Sequence, residues 1–294
     1  MSVQNLQTVR RRIRSVQNTQ KVTRAMQMVA GAKLRRSQGE RVAFRPYLER
    51  IQQIERRFLE AHPDFQHPFL SKPAPADGAV PRTGPEAPAG LVVISSDTGL
   101  CGAYNERVLA LAIGFLRENP SAKVVAIGKR GSRFLSRRRI ARERELLDWG
   151  GRLQRSQAEQ LFRWMDGAYR AGEVSSWWVA ATRFVSALRW NAALERLLPI
   201  EPAAAGSWPE RVLVEPDVPA VGSELLERAA VCRLQGLLLE AFTSEHSARM
   251  IAMRNATENA SEVIDQLTLA RNKARQAAIT KELIEVVSGA QALG

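Results

Sequence analysis

The chain has 294 residues, 45% of them hydrophobic and 25% charged, which is ordinary for a protein with a buried core and excludes a fibrous or wholly disordered polymer. Its formal charge of +13 is unevenly placed: residues 1–57 hold 14 Lys and Arg against Glu40, Glu49 and Glu55, a net of +11, so the rest of the chain contributes only +2. One basic element of this kind calls for an acidic partner, whether nucleic acid, anionic lipid or an acidic protein surface.

Ser2 is a candidate N-cap for a helix that starts at once. A three-four spacing then runs through Leu6, Val9, Ile13, Val16, Gln20, Thr23, Gln27, Ala30 and Leu34, the pattern of a helix that winds around a partner. Polar residues in the middle of that seam fix register at some cost in stability. Pro46 lacks a backbone N–H and crowds the preceding turn, so a kink is expected near Arg45, with the helix resuming from Tyr47 to about Ala61. The first 39 residues are free of acids, as in a transit peptide, but the periodic pattern runs through and beyond them.

Residues Ser71 to Gly90 contain five prolines and three glycines and read as a flexible linker or surface excursion. Leu91 to Ser95 is a short apolar run suited to a buried strand, followed by a glycine-containing turn and a helix from about Asn105 to Arg117. Ala122 to Ile127 reads as a second strand, Ser156 to Ala171 as another helix and Trp177 to Leu188 as a long strand. This order suggests a parallel α/β unit. Pro199 to Pro219 is loop-rich, with a short strand at Val212 to Val214.

From Ser223 to about Ala290 no proline interrupts the pattern. A helix of roughly 68 residues would be on the order of 100 Å long, longer than a compact domain buries. Its three-four series is Met253, Ala256, Ala260, Val263, Leu267, Ala270, Ala274, Ala277, Lys281 and Ile284, rich in alanine and therefore shaped for close approach of two backbones. The two ends of the chain are natural partners, and with a domain between them an antiparallel coiled coil is the economical arrangement.

Most candidate chemistry fails on inspection. Asp97-Thr98-Gly99 follows an apolar strand as in aspartic proteases, but there is no second copy to share the proton and Leu100 stands where a small residue is needed. Cys101 has no histidine placed locally to activate it, since the histidines are His62, His67 and His246. Gly128-Lys129-Arg130-Gly131-Ser132 lacks the upstream glycine of a phosphate loop, position 124 being Val. Arg137, Arg138, Arg139, Arg142 and Arg144 form a charge run that reads as a solvated face or an anion contact, and His246 as a helix-surface or seam histidine with no second metal ligand at helical spacing. Cys101 and Cys232 form no CxxC pair, which favours a reducing compartment. No catalytic residue, cofactor or metal is expected, and no run is long and apolar enough for a membrane span.

Both ends carry longer patterns. Gln20-Lys21-Val22-Thr23-Arg24-Ala25-Met26-Gln27-Met28-Val29-Ala30 resembles the first signature of the γ subunit of F-type ATP synthases. Ser244-Glu245-His246-Ser247-Ala248-Arg249-Met250, Asn255-Ala256-Thr257 and the stretch from Asn272 to Thr280 resemble the second. Ser96 to Gly102 resembles that family's strand-turn, with Thr98 where arginine is more usual. The resemblance implies a rotor: an antiparallel coiled coil inside a ring of α and β subunits, with an α/β domain against ε and the ring of c subunits, on the cytoplasmic side of a bacterial inner membrane as a peripheral protein. It further implies that catalysis belongs to β, and that Lys21, Arg24, Met26, Arg275, Gln276 and Thr280 meet β. Lys281, where the family commonly has glutamine, and Arg254 are departures, and the paired cysteines of chloroplast γ subunits are absent.

The expected fold class is α+β: a long antiparallel two-helix coiled coil from residues 1–61 and 221–294, a linker at 71–90, and a central α/β, Rossmann-like domain at 91–220. The expected seam includes Ile13, Val16, Ala30, Leu34, Ala260, Val263, Leu267, Ala274 and Ile284. Two other function classes compete. A nucleic-acid-binding basic coiled coil would show salt-sensitive affinity for DNA or RNA, and a nucleotide-using enzyme would bind nucleotide through residues 90–220.

Overall fold

The structure, a computed structural model, describes residues 3–70, 87–200 and 214–291. The Ser2 cap, most of the 71–90 linker and most of the strand expected at 212–214 lie outside the described residues, as do the side chains of Leu6 and Lys281.

Helix α1 spans Val3–Ala61 and remains helical through Pro46 rather than breaking and resuming there. The middle of the chain then runs β1 (Ala89–Ile94), α2 (Tyr104–Glu118), β2 (Lys123–Ile127), α3 (Lys129–Arg137), β3 (Arg144–Leu146), α4 (Arg155–Arg170), β4 (Ser176–Ser186) and β5 (Arg189–Leu198). Helix α5 spans Val218–Gln291. It begins five residues before the expected start because Asp217 caps it, its Oδ1 accepting the Ala220 N–H at 2.8 Å. Pro219 sits in the first turn, where its missing N–H costs nothing.

Among the described residues five strands form one sheet in the order β3-β2-β1-β4-β5. β1 pairs in parallel with β2 and β4, and β2 with β3, while β5 returns antiparallel to β4. The period-two alternation of β1 sends Val92 and Ile94 to one face and Leu91 and Val93 to the other. The first face packs on Leu161, Phe162 and Met165 of α4 and on Leu234, Leu238 and Phe242 of α5; the second packs on Val108, Ala112 and Phe115 of α2. Gly90 is obligatory, since a Cβ there would stand 2.3 Å from the Trp177 ring.

By contacts the chain divides into two compact units, residues 1–31 with 249–294, and residues 32–248. In the larger unit α1 and α5 pack through Phe44, Ile51, Ala229, Cys232 and Leu239. There Ser37 and Thr243 share a hydrogen bond of 2.6 Å, and Arg233 donates to both oxygens of the buried Glu55 at 2.8 Å. In the smaller unit the ends of the same two helices pair with each other.

Candidate functional site

The paired ends run antiparallel. Gln20 Nε2 donates to Ser261 Oγ at 2.7 Å, and Thr257 Oγ1 donates to Thr23 Oγ1 at 2.8 Å, so a step forward along α1 is a step back along α5. Ile13, Ala30, Leu34 and Ala260 are buried, while Val16, Leu267 and Ala274 are half-buried. The whole series expected for α1 faces inward from Val9 to Leu34. In α5 only one of the two expected columns does so throughout. Met253, Ala260, Leu267 and Ala274 face in, but beyond the half-buried Ala256 and Thr257 their companions are Ile264, Arg271 and Ala278, one residue past the exposed Val263, Ala270 and Ala277. Val263 is exposed and Ile264 half-buried in its place. The step from Met253 is four residues before it is three, which selects a column containing Thr257 and Arg271 in preference to a wholly apolar one.

Ile284 is exposed for a different reason: the antiparallel register set by Gln20 and Ser261 carries α5 past the start of α1 from about residue 278 onward. Leu283, Ile284, Val286 and Val287 are all more than half exposed along this overhang. Val22, Met28 and Val29 are similarly exposed on α1. The sequence reading missed these surfaces; long apolar side chains off the seam on both helices were the signal that marks them. Of the six expected contact residues, Lys21, Arg24, Arg275, Gln276 and Thr280 are exposed and Met26 is half-buried. The register sets Lys21, Arg24 and Met26 near residues 254–260, so the two groups lie apart, roughly 30 Å along the pair at ~1.5 Å per residue.

At the carboxyl ends of the parallel strands, where open α/β sheets hold their ligands, the site is filled by the protein's own groups. Asp97 accepts N–H donors from Lys129 and Asp148 at 3.1 Å on Oδ1 and from Gly150 at 2.9 Å on Oδ2. Its carboxylate is committed to backbone, which leaves no proton-sharing partner for protease chemistry. Ser95 Oγ accepts the Gly131 N–H at 2.8 Å, and a Cβ on Gly128 would lie 2.2 Å from the Ser95 carbonyl oxygen. The glycine turn at 128–132 is therefore a close strand-to-helix packing, with no room for a phosphate. Cys101 is buried and accepts from Asn105 Nδ2 at 3.2 Å, an amide that cannot serve as a base.

The segment from Ala241 to Arg249 is buried throughout and bolts α5 to the loops at the same sheet edge. Tyr104 O–H donates to the Ala241 carbonyl at 3.1 Å, Ser247 O–H to the Ala187 carbonyl, and His246 Nε2 pairs with the Gly151 carbonyl at 2.8 Å. His246 is thus a buried structural residue and not a helix-surface or seam one. Gly151 has φ of +70°, and a Cβ there would meet the His246 ring at 2.6 Å. Among the described residues no helix is long and apolar enough to cross a membrane.

A family model described as ATP synthase matches residues 5–293. The ATP synthase gamma chain of Moorella thermoacetica is 40% identical over 291 residues, covering 98% of this chain and 99% of that one. That of Methylibium petroleiphilum is 38% identical over 296 residues, covering 97% and 98%. Among solved structures, a chain in the rotor of the Euglena gracilis mitochondrial ATP synthase matches at TM-score 0.64 and 17% identity, covering 95% of this chain and 100% of that chain. One from the central stalk and c-ring of the Tetrahymena thermophila enzyme matches at 0.59 and 19%, covering 80% and 99%. The structural likeness speaks for the fold, and the sequence identity over nearly the whole length decides the rest: this chain belongs to the ATP synthase gamma chain family.

Proposed function

We propose that this chain is the central-stalk rotor of an F-type ATP synthase, turning within a ring of α and β subunits and carrying torque between that ring and the c-ring. Residues 1–61 and 221–294 act as the shaft, and residues 91–220 as the base that meets ε and the c-ring. Catalysis resides in β, and the chain works peripherally on the cytoplasmic side of a bacterial inner membrane. The observation that carries this reading is the antiparallel pairing of the two chain ends through a narrow seam, Gln20 against Ser261 and Thr23 against Thr257. A single helix bends and twists under load; two helices locked by small and polar residues share it. Exposed Lys21 and Arg24 suit an acidic segment of β, and Arg275, Gln276 and Thr280 suit loops of β at the second level. The carboxylate-filled strand ends support a transmitting rather than a catalytic role. The alternative of a nucleic-acid-binding coiled coil gains nothing from these relatives. Purification of the tagged chain from its own membranes tests the reading: α, β, ε and c subunits should co-purify, identified by mass, and their absence from a stable preparation overturns it.

A further inference from the structure

A cavity of about 640 Å³ in the larger unit opens between α1, α5 and the start of α4, and it has no part in the role proposed above. Its volume falls within the range of small-molecule sites. Phe44, Leu153, Val231 and Leu239 give it an apolar wall. The lining also includes Arg152, Arg155 and Arg228, with the Arg228 Nε–H donating to Tyr47 Oη at 3.2 Å. The acids on the lining are Glu40 and Glu159, and Glu40 is already held by Arg36 at 3.1 Å, which leaves the wall positive. Arg155 is also the first residue of α4, whose first turn has no acidic residue and whose N-cap Gln154 makes no side-chain bond. Positive helix-end charge therefore adds to the guanidiniums.

Gln235 supplies the independent observation. Its side chain lines the cavity, the residue is 5% exposed, and among the described residues the amide makes no hydrogen bond. The amide belongs to the cavity lining, together with Tyr47 and Arg228, and is left open to a ligand there. Cys232, 2% exposed, completes the floor; burial pushes its thiol up against the opposing pull of Arg228, so it stays neutral and adds no negative charge.

We infer that this cavity binds a small amphipathic organic anion, its carboxylate meeting Arg155, Arg228 and the Gln235 amide and its hydrocarbon part lying on Phe44, Leu153 and Leu239. Both halves of the ligand are required: the guanidiniums alone suit any anion, and the apolar wall alone suits any hydrocarbon.

Calorimetric titration of the purified full chain with octanoate, 1-octanol and inorganic phosphate tests this. Octanoate should bind with one-to-one stoichiometry and more tightly than either of the others. Arg155→Gln and Gln235→Leu should each weaken it about tenfold, the loss expected of one charge-assisted or buried hydrogen bond. Arg155 is exposed, so Arg155→Gln should melt like the parent and keeps the test valid if Gln235→Leu fails to fold. Equal binding of octanol and octanoate would show an apolar crevice only, and equal binding of phosphate a bare anion patch. Either result, an absence of binding, or octanoate affinity unchanged in Arg155→Gln overturns the assignment.

Discussion

Asp97 holds three backbone N–H groups from two loops, one at the start of α3 and two between β3 and α4. Asn in its place keeps the shape but offers one acceptor oxygen and turns an amide N–H₂ toward donors. Asp97→Asn should therefore cost about 2–3 kcal/mol, the value of charge-assisted bonds lost in place, read by denaturant unfolding of the full chain; an unchanged midpoint would deny the carboxylate its bracing role. His67 offers a second test at this scale. Burial, aided by the charge of Arg170, holds its imidazole down at about 4, and its Nδ1 accepts the Phe69 N–H at 3.1 Å. Because the folded value lies below the unfolded 6.5, the unfolded chain takes up the proton first. Stability from this group is complete above pH 6.5, falls by up to about 1.4 kcal/mol per pH unit below it, and levels off under pH 4. His67→Gln should flatten that slope between pH 6.5 and 5, and an identical slope in the variant would assign it elsewhere.

Between α1 and α5 the most consequential contact is Glu55 with Arg233. Glu55 is 2% exposed, and burial raises its carboxyl pKa in spite of Arg233, so the ion is tolerated only because it is paired. Arg233→Ala strands that charge and should cost about 3–5 kcal/mol, most of it recovered by adding Glu55→Gln; a loss below about 1 kcal/mol would show solvent reaching the pair. This pairing was not legible in the sequence, because nothing in a one-dimensional pattern matches residues from opposite ends of the chain. The seams were half legible. α1 could be read from Val9 to Leu34 because apolar Val9, Ile13, Val16, Ala30 and Leu34 fix the three-four spacing on both sides of the polar Gln20, Thr23 and Gln27. In α5 the inward column includes Thr257 and Arg271, and binary pattern favoured the exposed Val263 over Ile264. β1, β2 and β4 showed as apolar or alternating runs, and the order of elements gave the parallel sheet. β5 was missed because Ala187 and Leu188 carry no turn signal and Arg189–Leu198 mixes charged with half-buried positions. α3 and β3 were hidden in the arginine run, whose Arg137, Arg138, Arg139 and Arg144 are exposed as expected but lie on the end of a helix, a turn and an edge strand. The catalytic candidates at Asp97, Cys101 and Gly128 were set aside from sequence; why those residues stand there appeared only once Asp97 and Ser95 were seen to serve backbone.

For the whole molecule, the basic first helix, the seam of chain ends and the α/β sheet form one chain whose function is mechanical. The net +11 of residues 1–57 lies largely on the outward faces of α1, with Lys21 and Arg24 beside the half-buried Met26. Met26→Lys adds charge where the shaft is proposed to slide past β. Membranes carrying it should assemble and hydrolyse ATP with less ion pumped per ATP than the parent; equal coupling would remove Met26 from that contact. The most direct measurement is single-molecule rotation. With the assembled complex fixed by its α and β subunits and a probe attached through Leu188→Cys, a position 77% exposed at the β4–β5 turn, added ATP should drive the probe steadily in one direction, and removal of ATP should stop it. Steady ATP hydrolysis by a complex in which this chain stays still would contradict the account.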